Sequence, residues 1–108
     1  MFGSYTRTLN VVAGHARHLV AGSKNLTYVD PAEGLRLYYS YATVVAFESN
    51  RVLFVCQNIW SQTTACQLTR IERFARGRGI STDLGRLPYP AFVEVLADAC
   101  KVHGVAAY

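Results

Sequence analysis

Nine of the eleven basic side chains in this 108-residue chain are arginines, and five of those, Arg70, Arg73, Arg76, Arg78 and Arg86, fall between positions 70 and 86 with only Glu72 and Asp83 against them. A guanidinium holds several N–H donors in a planar fork that matches the oxygens of phosphate or carboxylate, so the chemistry this clustering offers is anion binding. A stripe of one sign on a helix is also how many solvated faces look, with no partner at all. A second grouping interleaves tyrosines with a cation: Tyr28, Arg36, Tyr38, Tyr39 and Tyr41. Aromatic rings exposed on a sheet can stack nucleic-acid bases, while tyrosine is equally a good half-buried strand residue. Strand alternation leaves Arg36 and Tyr38 as the outward pair.

Bond-making chemistry finds less support. His15, His18 and His103 have no nucleophile or orienting acid in a known pattern around them, and the chain has no P-loop, dinucleotide fingerprint, G-x-S-x-G or H-E-x-x-H. Cys56, Cys66, Cys100 and His103 could be assembled into a metal site, since Cys100 and His103 share a helix face. Their spacing lacks the close cysteine pairs of structural zinc sites, so no metal, no cofactor and no enzymatic activity are expected.

The elements that must carry these residues can be read from periodicity. Leu9, Val12, Ala13, Ala16, Leu19 and Val20 lie on one helical face, with Thr8 as N-cap and Gly22 as stop. A short strand follows at Leu26 to Val29. A longer one runs from Leu35 to Phe47 with a period of two, and a third covers Arg51 to Trp60. Ser49-Asn50 suits a two-residue hairpin, which would pair Phe47 with Val52, Val45 with Phe54 and Thr43 with Cys56 on the inner face. The other face then carries Val44, Leu53, Val55 and Ile59 and is unusually apolar for a surface in water.

Ser61-Gln62-Thr63-Thr64 offers N-caps for a helix whose buried stripe is Ala65, Leu68, Ile71, Phe74 and Ala75. Arg70, Arg73 and Arg76 fall roughly opposite that stripe and must point outward. After a loop over 78–88, Pro90 opens a last helix with Phe92, Val95, Leu96, Ala99 and Val102 inward and Gly104 as its stop. The expected fold is therefore α+β, a three-stranded antiparallel sheet with helices in the order α-β-β-β-α-α, as a single domain over residues 1–108.

Bulk properties agree with such a fold. Hydrophobic residues make up 51% and charged residues 17%, far from the composition of disorder. No secretory signal is readable in Met1 to Arg7, the apolar runs are too short to span a bilayer, and the odd cysteine count argues against a disulfide framework, so a cytoplasmic location is expected. The net charge of +4 permits an acidic partner without demanding one.

The run Asn58-Ile59-Trp60-Ser61-Gln62-Thr63-Thr64-Ala65-Cys66-Gln67-Leu68, preceded by the strand from Tyr41 to Phe47, resembles a segment of small phage and mobile-element proteins of unknown function. The likeness covers residues 38–71, and where such proteins carry a histidine before the leucine this chain has Gln67. The order α-β-β-β-α is also similar to that of double-stranded RNA-binding domains, but their lysine cluster at the start of the last helix has no counterpart in Thr63 to Gln67, and that assignment is not adopted.

These readings converge on a noncatalytic phage or mobile-element accessory protein that docks on nucleic acid or a host nucleoprotein through Arg70, Arg73, Arg76, Arg78 and Arg86, with Arg36 and Tyr38 contributing. The alternative is a protein-binding inhibitor of a host factor, in the manner of anti-CRISPR and other anti-defence proteins. It would use Val44, Leu53, Val55 and Ile59 as its contact, or as the surface joining a homodimer.

Overall fold

The computed structural model describes residues 18–20 and 23–105. Over these the elements are β1 (His18–Val20), β2 (Ser23–Ala32), β3 (Leu35–Ser40), β4 (Thr43–Ser49), β5 (Val52–Cys56), α1 (Gln62–Gly77), β6 (Arg86–Leu87) and α2 (Tyr89–Val102). The six strands form one sheet in sequence order. Strands β1 to β5 are an antiparallel meander, and β6 returns parallel to β5 after α1.

This overturns the expected three-stranded sheet and the order α-β-β-β-α-α. His18–Val20, assigned to the end of a first helix, pairs with β2 as a strand; the rest of that expected helix lies outside the described residues. The long strand from Leu35 breaks into β3 and β4 at Tyr41-Ala42, where Tyr41 takes a left-handed φ of 57°. The loop over 78–88 contains β6.

The hairpin between β4 and β5 turns one residue later than expected. Asn50 and Arg51 both have positive φ, 51° and 69°, the requirement of a type I′ turn whose twist matches the flanking strands. Phe47 therefore faces Phe54, and their rings stack 4.7 Å apart. A bulge also interrupts the β3–β4 ladder, since Tyr38 pairs with Ala46 but Tyr39 pairs with Val44. Val45 is the extra residue. Past it the strand's two faces exchange, so Val44 joins the core with Tyr39 and Phe47 whereas Val45 joins the opposite one.

Both faces of the sheet are covered. Helix α2 lays Phe92, Leu96, Ala99 and Cys100 over Leu35, Leu37, Tyr39, Phe47 and Cys56. Helix α1 lays Leu68, Ile71 and Ala75 over Tyr38, Ala46, Leu53 and Val55. Ser61 caps α1 by accepting the Thr64 N–H, and Asn58 braces the approach by accepting from Trp60 N–H and donating to the Ser61 carbonyl. Both helices end in the same way. A glycine at positive φ, Gly79 or Gly104, follows the cap, and the next N–H reaches back five residues, Ile80 to Ala75 and Val105 to Cys100. This is the Schellman arrangement. No helix among the described residues is long and apolar enough to cross a membrane.

Candidate functional site

The arginine row lies on the side of α1 that the sheet does not use. Because Leu68, Ile71 and Ala75 turn inward, Arg70, Arg73 and Arg76 are exposed. Among the described residues none of the three has a carboxylate partner. Among the described residues Arg76 donates only to the Thr82 hydroxyl, from Nε at 3.4 Å and Nη2 at 3.3 Å. Three positive charges one turn apart along one helix thus keep free donors toward solvent.

The other arginines of the cluster are already engaged. Arg86 forks onto Glu72, with Nη2 to Oε1 at 2.9 Å and Nε to Oε2 at 3.2 Å; the hydrogen bond to Glu72 raises its pKa above the ordinary arginine value. Arg78 donates from Nη1 to Glu48 Oε2 at 2.5 Å and lies beside the Phe74 ring. Arg36 forms a double hydrogen bond with Asp30, at 2.7 and 3.1 Å, with its guanidinium carbon 3.9 Å above the centre of the Tyr28 ring. Partial burial pulls the Arg36 pKa down, and the Asp30 carboxylate more than restores it, leaving it raised.

Tyr38 does not stand outward beside Arg36. It is fully buried, and its hydroxyl donates to Glu48 Oε2. Burial first, and then the Glu48 bond, push its phenol well above the ordinary value. The reason is topological: β3 has helices on both sides, so its outward positions are covered by α1. The same fact removes the expected open sheet face. Leu53 and Val55 are 1% and 2% exposed beneath α1, Val44 is 4% exposed on the α2 side, and only Ile59, in the connection after β5, is substantially exposed at 41%.

Sequence reading passed over Glu48, Asp30 and Arg51, which the fold gathers around Arg36 and Arg78 at one cavity. Glu48 did carry a signal, as a carboxylate ending an apolar strand. Its partners Tyr38 and Arg78 lie 10 and 30 residues away, separations at which no spacing rule operates. Gln67 is buried and accepts a 2.5 Å hydrogen bond from Ser40. Cys56 and Cys100 share the core beneath α2, but Cys66 is not part of it. Burial pushes the Cys56 and Cys100 thiols up to about 11, Cys66 is exposed, and His103 Nε2 lies 3.1 Å from Ser49 Oγ. Among the described residues no group of three histidine, cysteine or acidic side chains could hold a metal ion.

Comparison with known proteins adds a family without adding an activity. No curated protein and no solved structure matches the chain. A family described as a "Family of unknown function (DUF8033)" matches residues 9–82. The match takes in β1 through α1, and with them Glu48 and the exposed arginines, and ends before β6. Since it spans about two thirds of the 108 residues, the chain belongs to this family of unknown function, DUF8033.

Proposed function

We propose that this protein is a noncatalytic accessory factor that docks on the phosphate backbone of nucleic acid, alone or in a nucleoprotein, through Arg70, Arg73 and Arg76. One observation carries the reading: these three guanidiniums lie exposed on one face of α1 with no carboxylate partner among the described residues, while Arg36, Arg78 and Arg86 nearby are each paired. Unpaired cations along a rigid helix suit an acceptor of repeating negative charge, and binding of that kind reads charge more than sequence. The likeness of residues 38–71 to small phage and mobile-element proteins supports an accessory role there. The inhibitor reading has less to stand on, because α1 covers Leu53 and Val55.

A fluorescence-anisotropy titration with labelled duplex and single-stranded oligonucleotides of mixed sequence tests this. Micromolar binding that weakens steeply as salt rises is the expected result. Binding that is absent, or indifferent to salt, would remove the proposal.

A further inference from the structure

A cavity of about 310 Å³ opens at the C-terminal end of α1, lined by charged residues, Asp30, Glu33, Arg36, Glu48, Arg51 and Arg78, and by apolar ones, Leu35 and Ile80 among them. Its hydrogen bonding is incomplete in a specific way. Asp30 and Arg36 satisfy each other through two parallel bonds. Glu48, whose side chain is 6% exposed, receives both Tyr38 and Arg78 on Oε2, and its Oε1 has no partner among the described residues. A buried carboxylate oxygen without a donor is costly, so one on a cavity wall marks where a donor belongs.

The same lining supplies donors. Arg78 uses one nitrogen on Glu48, and Arg51 uses one on the Gly79 carbonyl at 3.3 Å, leaving the remaining N–H groups of both forks without acceptors among the described residues. Arg51 is also an unusual residue for its place. It holds the second central position of a type I′ turn at φ 69°, where glycine is favoured because a side chain is strained there. Nothing in the turn itself calls for a long cation, whereas its place on the cavity wall gives that cation a use.

We propose that this cavity binds a small zwitterion, such as a free amino acid, with its ammonium on Glu48 Oε1 and its carboxylate between Arg51 and Arg78. The cavity's charges select this class over its neighbours. Three guanidiniums and three carboxylates line the cavity, so a bare anion or a bare cation would meet as much repulsion as attraction, while a ligand carrying both signs meets each with its complement. A metal ion is disfavoured by the guanidiniums and by the lack of three converging ligands among the described residues. The volume lies at the lower end for small-molecule sites, which suits a metabolite of amino-acid size. This site is independent of the nucleic-acid reading, since none of Arg70, Arg73 and Arg76 lines it.

The test is calorimetry and thermal shift on the full chain with each standard free amino acid, with acetate and methylammonium as single-charge controls. At least one amino acid is expected to bind and raise the melting temperature where the controls do not. Arg51→Gly should weaken that binding about tenfold or more without lowering the melting temperature of the free protein, because glycine suits the turn. Glu48→Gln, which keeps the shape, should weaken it as well. No response to any amino acid, an equal response to acetate or methylammonium, or binding unchanged in Arg51→Gly would overturn the proposal.

Discussion

Arg76 and Arg78 stand two positions apart at the end of α1 and inhabit different environments. Arg76 looks into solvent with only a threonine hydroxyl for company, while Arg78 reaches inward to a nearly buried carboxylate that also holds a buried tyrosine. The contrast extends outward from each: Arg70 and Arg73 share the first condition, while Arg36 and Arg86 are paired as Arg78 is, though with Asp30 and Glu72, carboxylates that stay 46% and 23% exposed. A guanidinium opposite a desolvated partner contributes to the fold, and removing either member strands the other. One that faces water contributes little to the fold and remains available to a partner. Arginine count alone therefore overstates the working surface, and pairing decides which members belong to it.

The largest effect expected from disturbing the inner region is that of Val55→Lys. Val55 lies under α1, so the ammonium would be buried without a partner, and urea denaturation should show a loss of about 4 kcal/mol or more, or no folded protein. A nearly unchanged melting temperature would mean that the face beneath α1 is open. Glu48→Ala comes next at about 3 kcal/mol, since it leaves the Tyr38 hydroxyl and the Arg78 guanidinium without their shared acceptor. Tyr38→Phe, which removes one donor and leaves Arg78 in place, should cost about 1 kcal/mol.

Alkaline pH probes the same interior. Burial lifts the Cys56 and Cys100 thiols from 9.0 to about 11, so above pH 9 the folded chain keeps protons that the unfolded chain releases. Their contribution to stability is complete below about pH 9 and is lost as pH climbs through about 11. The raised Tyr38 phenol acts in the same direction. Melting temperatures measured from pH 8 to 11 should fall with increasing steepness, and a flat profile would contradict this burial. The smallest effect on stability belongs to the outer row: Arg70→Ala, Arg73→Ala and Arg76→Ala together should shift unfolding by no more than about 0.5 kcal/mol.

Much of this contrast could be read from the chain, but only where the signals were local. The two helices announced themselves through Leu68, Ile71 and Ala75 and through Phe92, Leu96 and Ala99, with Ser61 among the offered caps and Gly104 marking an end. Leu35, Leu37 and Tyr39 alternated inward as expected. The β3–β4 turn was hidden because Tyr41 adopts left-handed backbone that its residue type disfavours. The hairpin slipped by one residue because Asn50 tolerates positive φ at either central position, and Arg51 gave no hint that it would share it.

The apolar character of both sheet faces was legible, but it was read as a contact or dimer surface, whereas α1 covers Leu53 and Val55. What no local rule could supply was the partner of each arginine. Glu48 meets Arg78 across 30 residues and Asp30 meets Arg36 across a hairpin, contacts that exist only once the meander has folded and α1 has docked.

The salt dependence of nucleic-acid affinity tests the central division most directly. For the wild-type chain, the slope of log affinity against log salt on duplex DNA should exceed that of the Arg70→Ala, Arg73→Ala, Arg76→Ala variant by about three phosphate contacts, while Arg86→Ala retains nearly the wild-type slope. An unchanged slope in the triple variant, or an equal loss in Arg86→Ala, would contradict the assignment of the solvent-facing arginines as the docking surface.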